Sequence, residues 1–255
     1  MITQFSLRLI CGMSLMWSVM PRREVTSGFF RIQMLVALGL SVLAALTVGQ
    51  FRTDVTEPLL PDAATTAGCI ALAAAGFIGS VLWTLERRKG GTWVAFLIAV
   101  ISAGLLVLSS PVESTISLAA SLRILSELSS AAILGGAVTG MLLGHWYLTA
   151  PTMSIDPLSR LNFFYGCATI VRLVLSAIAL AAAWQLLEGT TDFIWIGLRW
   201  IAGIVGPIAV FVMVSRILKY RNTQSATGVL FVGVILTFIG EMTAALLYQK
   251  LQHPF

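Results

Sequence analysis

The chain has 255 residues, of which 58% are hydrophobic and 11% charged, whereas a soluble domain carries about a quarter of its residues as charges. That balance excludes water as the main solvent. A formal net charge of +5 would suggest nucleic acid on a soluble protein, but here the basic residues fall in particular breaks between apolar runs. They read as topology signals, and no nucleic-acid partner is expected.

Taken in chain order, apolar runs predict spans at residues 4–20, 29–50, 66–85, 92–109, 116–148, 163–187, 193–218 and 224–249. A helix needs about 20 mostly apolar residues to cross hydrocarbon. These runs are Leu/Ala/Val-rich rather than alternating strands of about ten residues, so helices are expected and a barrel is not. The fold class is therefore all-α: a polytopic bundle of eight transmembrane helices, forming a single integral membrane domain over residues 1–255. The first run is short and carries Arg8, which leaves seven spans plus an interfacial helix as the alternative. It lacks a small-x-small cleavage site and is followed by Pro21-Arg22-Arg23, so it reads as a retained helix and not a signal peptide.

The breaks alternate in charge. One set holds Arg22 and Arg23, then Arg87, Arg88 and Lys89, then Arg160, then Arg216, Lys219 and Arg221; the other holds Asp54, Glu57 and Asp62, then Glu113, then Glu188 and Asp192, with Arg52 the only basic residue. The positive-inside rule then puts both termini outside, in a multi-pass protein of the cell (inner) membrane. Cys11, Cys69 and Cys167 lie far apart in apolar runs, with no CxxC and no Cys/His pairing, so neither disulfides nor a metal site are expected.

Charged residues within spans are functional hypotheses by default. Arg123, Glu127, Arg199 and Glu241 fall in the outer half by this topology and form a candidate charge cluster, with Arg123 and Glu127 one helical turn apart. The cluster is either structural or a proton or quinone site. Arg172 sits nearer mid-depth, where it calls for an acidic group, a backbone carbonyl or a cofactor carboxylate.

Span five carries Gly136-x-x-x-Gly140-x-x-x-Gly144, a small-residue stripe that suits close helix packing or the approach of a flat ligand. His145, the only histidine in a span, follows, then Trp146 and Tyr147. Glu127 and His145 are 18 residues apart on one face, which is about 27 Å. His145 is a candidate quinone contact, with Tyr147 and Arg172 the nearest in depth for a second one; the alternative is that it only anchors the helix end in an aromatic belt. In span seven Pro207 predicts a kink. Span eight opens at Asn222-Thr223, which can cap the helix or, with Arg216, Lys219 and Arg221 nearby, receive a phosphate or lipid headgroup.

Absences narrow the function. There is no HExxH, GxSxG, P-loop, Asp-rich prenyltransferase motif or desaturase histidine pattern. Lys89, Lys219 and Lys250 all lie at span ends, which leaves no Schiff-base lysine for retinal. His145 and His253 fall at opposite membrane faces, so this chain alone cannot ligate a bis-histidine haem.

A bundle of eight helices without a soluble domain, with intramembrane Arg/Glu groups and the Gly144-His145-Trp146-Tyr147 element, resembles the membrane-anchor subunits of bacterial respiratory oxidoreductases. That resemblance implies quinone or quinol binding near one surface, docking to other membrane subunits and redox partners, and in some members haem. The histidine inventory departs from a haem-rich cytochrome b, and no long loop exists to dock a peripheral subunit. A subunit of an electron-transfer complex, quinone-interacting or serving assembly, is the first expectation, and a small-solute or ion transporter the second.

Overall fold

The computed structural model describes residues 2–49, 59–109, 118–150, 152–187 and 189–251, without side chains at 118–120. Arg52, Asp54, Glu57, Glu113, Glu188 and His253 lie outside the described residues. The elements are α1 (Ile2–Val19), α2 (Ser27–Thr47), α3 (Asp62–Thr84), α4 (Arg88–Leu108), α5 (Leu118–Trp146), α6 (Asp156–Ala183), a 3-10 turn (Trp184–Leu186), α7 (Thr190–Trp200), a π turn (Ile201–Val205), α8 (Gly206–Lys219) and α9 (Thr223–Leu251). The described residues contain no strand.

Seven stretches are long and apolar enough to cross a membrane: α2, α3, α4, α5, α6 with its 3-10 turn, the continuous rod Thr190–Lys219, and α9. The helix left out, α1, is well enclosed. Leu7, Ile10, Cys11, Met13 and Trp17 are all fully buried, and α1 packs on α2, α4 and α5. A helix surrounded by others needs no apolar surface on every side, so Arg8, Ser6 and Ser14 are tolerated in it. It also runs from one end of the bundle to the other. At one end Thr3 bonds Thr47 at 3.0 Å and Gln4 donates to the Ser109 carbonyl at 3.0 Å. At the other, Arg22 reaches back to the Trp17 carbonyl at 3.0 Å, and Arg88 donates to the Arg22 carbonyl. This second end is the basic one.

One boundary differs markedly from the sequence expectation. Helix α6 starts at Asp156 rather than near 163, because Pro157 in its first turn has a fixed φ suited to a helix start and no N–H to leave unsatisfied. In the rod Thr190–Lys219 a π turn stands just ahead of Pro207, where the sequence predicts a kink. Pro207 cannot donate to the Gly203 carbonyl, and the backbone widens over Ile201–Val205 just before it.

The bundle is close-packed where glycines remove side chains. A Cβ on Gly12 would lie 1.7 Å from the Ala131 carbonyl oxygen, and one on Gly135 would lie 2.0 Å from the Gly12 carbonyl carbon. The backbones of α1 and α5 are therefore in direct contact. The outside is apolar: Leu46, Ile70, Phe77, Trp93, Phe163, Ile201 and Ile235 are each more than half exposed. Such a continuous apolar surface is not that of a soluble monomer.

Gly135→Leu should abolish the α1–α5 contact, at a cost at or above the upper end of the ~1–3 kcal/mol typical of overpacking. Gly104→Leu, where a Cβ meets nothing within 4 Å, should be tolerated. Monodispersity on detergent size-exclusion chromatography and thermal unfolding of the two variants check this.

Candidate functional site

Three elements bring charge to one buried point: α6 carries Arg172, α7 carries Arg199 and α9 carries Glu241. All three side chains are at most 2% exposed. Arg172 binds Glu241 in a fork, Nε to Oε1 at 3.0 Å and Nη2 to Oε2 at 2.9 Å. Arg199 donates through Nη1 to Oε1 at 2.7 Å. The Ser130 hydroxyl of α5 donates to Oε2. Each carboxylate oxygen thus accepts two hydrogen bonds.

Serines accept from both arginines, while Arg199 Nε is buried without a partner. Arg172 Nη1 donates to Ser126 Oγ at 2.6 Å and to its carbonyl at 3.3 Å, and Arg199 Nη2 donates to Ser176 Oγ at 3.0 Å. Close approach is again made by glycine. A Cβ on Gly240, beside Glu241, would lie 2.1 Å from Gly203 Cα, and one on Gly203 would lie 2.7 Å from Arg199 Nη1.

A second, partly buried pair joins α1 to α5. Arg8 of α1 donates to Glu127 through Nε at 2.7 Å and Nη2 at 2.6 Å. Glu127 is thus held by the arginine that made α1 look doubtful as a span. Arg123 stacks over the Tyr248 ring, 4.9 Å from its centroid. A further pair that the sequence reading did not find joins Lys250 to Asp192 at 2.6 Å; Asp192, read there as a loop acid, is fully buried in the first turn of α7.

The proposed second contact for His145 does not assemble. Arg172 bonds Ser126, which is 19 residues before His145 on α5, or about 28 Å along the axis. Its depth was misjudged because α6 begins at Asp156 and not near 163, which adds about 10 Å of rise before Arg172. Tyr147 is buried, and its hydroxyl donates to the Ser154 carbonyl, closing the α5–α6 connection. Burial pushes the Tyr147 phenol above its ordinary range. His145 itself is exposed at the end of α5.

The anchoring contact at that end belongs to its neighbour. Trp146 Nε1 donates to Thr26 Oγ1 at 2.8 Å and its ring meets Phe29 edge-on. The glycine stripe is filled by protein. A Cβ on Gly136 would lie 3.1 Å from Tyr165, one on Gly140 3.6 Å from Leu230, and one on Gly144 2.6 Å from Thr227 Oγ1. These glycines seat α6 and α9 and leave no slot for a flat ligand. Asn222 Oδ1 accepts from the Ser225 N–H at 2.9 Å, which is a helix cap.

Arg8, Ser126, Ser130 and Ser176 are site residues that sequence reasoning missed. A usable signal existed for the serines: each lies four or fewer positions from an in-span charge on its own helix. Among the described residues no group of three or more His, Cys, Asp or Glu side chains is placed to hold a metal ion. Compared with protein-family models, curated protein sequences and solved structures, the chain matches none.

Glu241→Gln should leave two buried guanidiniums short of their counter-charge and destabilise the bundle by about 3–5 kcal/mol. Replacing Arg172, Arg199 and Glu241 together by apolar residues of similar volume should cost less than that single change. Thermal unfolding in detergent measures both, and a single variant as stable as the parent would show the triad to be energetically idle.

Proposed function

We propose that the chain is a multi-pass subunit of an electron-transfer complex in the cell (inner) membrane, and that it serves assembly rather than catalysis. One observation carries the assembly role: the carboxylates within the bundle, the buried Glu241 and the partly buried Glu127, are held by arginines of neighbouring helices, so their charge joins helices. The electron-transfer class rests on the resemblance to respiratory membrane-anchor subunits. Quinone contact at His145 would come from outside the bundle, since that side chain is exposed at the end of α5. Haem is disfavoured by the same two-histidine inventory as before.

In this reading α1 counts as a span, which makes eight spans with both termini outside. A Thr190→Cys substitution, exposed at the start of α7, should be labelled by an impermeant thiol reagent in intact cells, and Arg88→Cys should be protected. Cys167 is exposed and is first replaced by Ser. The reverse pattern would invert the orientation.

A transporter is the second reading, favoured by the interrupted rod in which a π turn and Pro207 follow directly on Arg199. Purification in mild detergent separates the two. The subunit reading expects stoichiometric co-purification with redox proteins, with quinol turnover kept after His145→Ala. A homogeneous lone oligomer would favour the transporter.

A further inference from the structure

The pattern of helix neighbours repeats along the chain. Helix α1 packs on α2 and α4, α2 on α3, and α3 on α4, which closes a ring over residues 2–108. Helix α5 packs on α6 and α9, α6 on α8, and α8 on α9, which closes a second ring over residues 118–251. With the rod Thr190–Lys219 taken as one unit, the second ring has the order of the first. Helix α5 corresponds to α1, α6 to α2, the rod to α3 and α9 to α4. The first ring brings the chain back to the end of the bundle where it began, as the bond from Gln4 to the Ser109 carbonyl records. Equivalent helices therefore run in the same direction.

Contacts between the rings keep this correspondence. The equivalent helices α1 and α5 lie side by side and parallel: Arg8 and then Gly12 on one meet Glu127 and then Gly135 on the other. Helix α1 also touches α6, and its Phe5 ring meets Phe238 of α9 edge-on at 5.2 Å between centroids. In the equivalent places α5 touches α4, and its Trp146 ring meets Phe29 of α2. An approximate two-fold axis along the bundle, between Gly12 and Gly135, exchanges these contacts, as it does in a parallel internal repeat.

Polar side chains are satisfied ring by ring, with one charged exception. In the second ring Glu241 is answered by Arg172, Arg199 and Ser130, Asn162 by Ser215, and Tyr165 by Thr237. In the first, Gln4 is answered by Ser109 and Trp17 by Gln33. The pair Arg8–Glu127 is instead divided between the rings. Either ring alone would leave one ionised group on its α1 or α5 face, which is costly in a bilayer and marks that face as one made to be covered by the opposite charge.

We propose that residues 2–108 and 118–251 are two units of one design, each folding as its own body, and that the α1 face of the first is an interaction surface whose partner is the α5 face of the second. The seam itself, and not the covalent connection between the units, holds them together. The test uses the full chain with a site-specific protease sequence inserted between Glu113 and Ser114, purified in maltoside detergent and then cut to completion. The two fragments of the parent should elute together on size-exclusion chromatography. Arg8→Glu, which sets two carboxylates at the seam, should release them as two monodisperse species, each with its own cooperative thermal transition. Adding Glu127→Arg to it should restore co-elution. Arg8→Gln serves in the same way if the uncut Arg8→Glu chain does not fold. Parent fragments that part on cutting overturn the surface, because the connection was then holding them. Released fragments that aggregate or melt without a transition overturn the separate units. Single-variant fragments that stay together, or a double variant that does not rejoin, overturn the charge pair as the element by which the units recognise each other.

Discussion

One carboxylate, Glu241, sits where α5, α6, α7 and α9 meet, and it answers two guanidiniums at once. Removing ions from water is expensive, and the loss is offset only when geometry is good and the remaining hydrogen-bonding capacity is used. Both conditions hold for the carboxylate, with the fork from Arg172, the single bond from Arg199 and the Ser130 hydroxyl filling its two oxygens. The helix arrangement follows from this need. Arg199 reaches Glu241 because Gly203 and Gly240 let the π turn and α9 touch backbone to backbone, so the glycine crossing and the ion triad are a single device.

Helix α5 couples that device to the other half of the bundle. Ser126 and Ser130 turn toward α6 and α9, while Glu127 turns to α1 and takes Arg8. Adjacent positions on a helix point about 100° apart, which is how one short stretch serves two seams. The Gly12–Gly135 contact then presses α1 against α5 a few turns further along.

The spans were legible because apolar length is dictated by the solvent and leaves a coarse mark in the sequence. The depth of a single residue was not. The apolar run begins at 163 whereas α6 starts at Asp156, and that one difference carried Arg172 toward His145 and away from Glu241. The stripe Gly136, Gly140 and Gly144 was visible as a motif, yet the tightest crossing on α5 is at Gly135, which has no i+4 glycine partner on its own helix. Its partner is Gly12, on a helix made much earlier, and no local pattern reports such a match. Arg8 raises its doubt for the same reason. A charge in a span looks anomalous until its counter-charge is located, and Glu127 lies 119 residues away.

That separation has a consequence for how the protein is made. At synthesis rates of ~5–20 residues per second, 119 residues take roughly 6 to 24 s. Throughout that interval Arg8 has left the ribosome and Glu127 has not. Helix α1 is therefore sealed only once α5 has been made, and until then it waits, with its charge unanswered by its final partner, for α2, α4 and α5 to close around it.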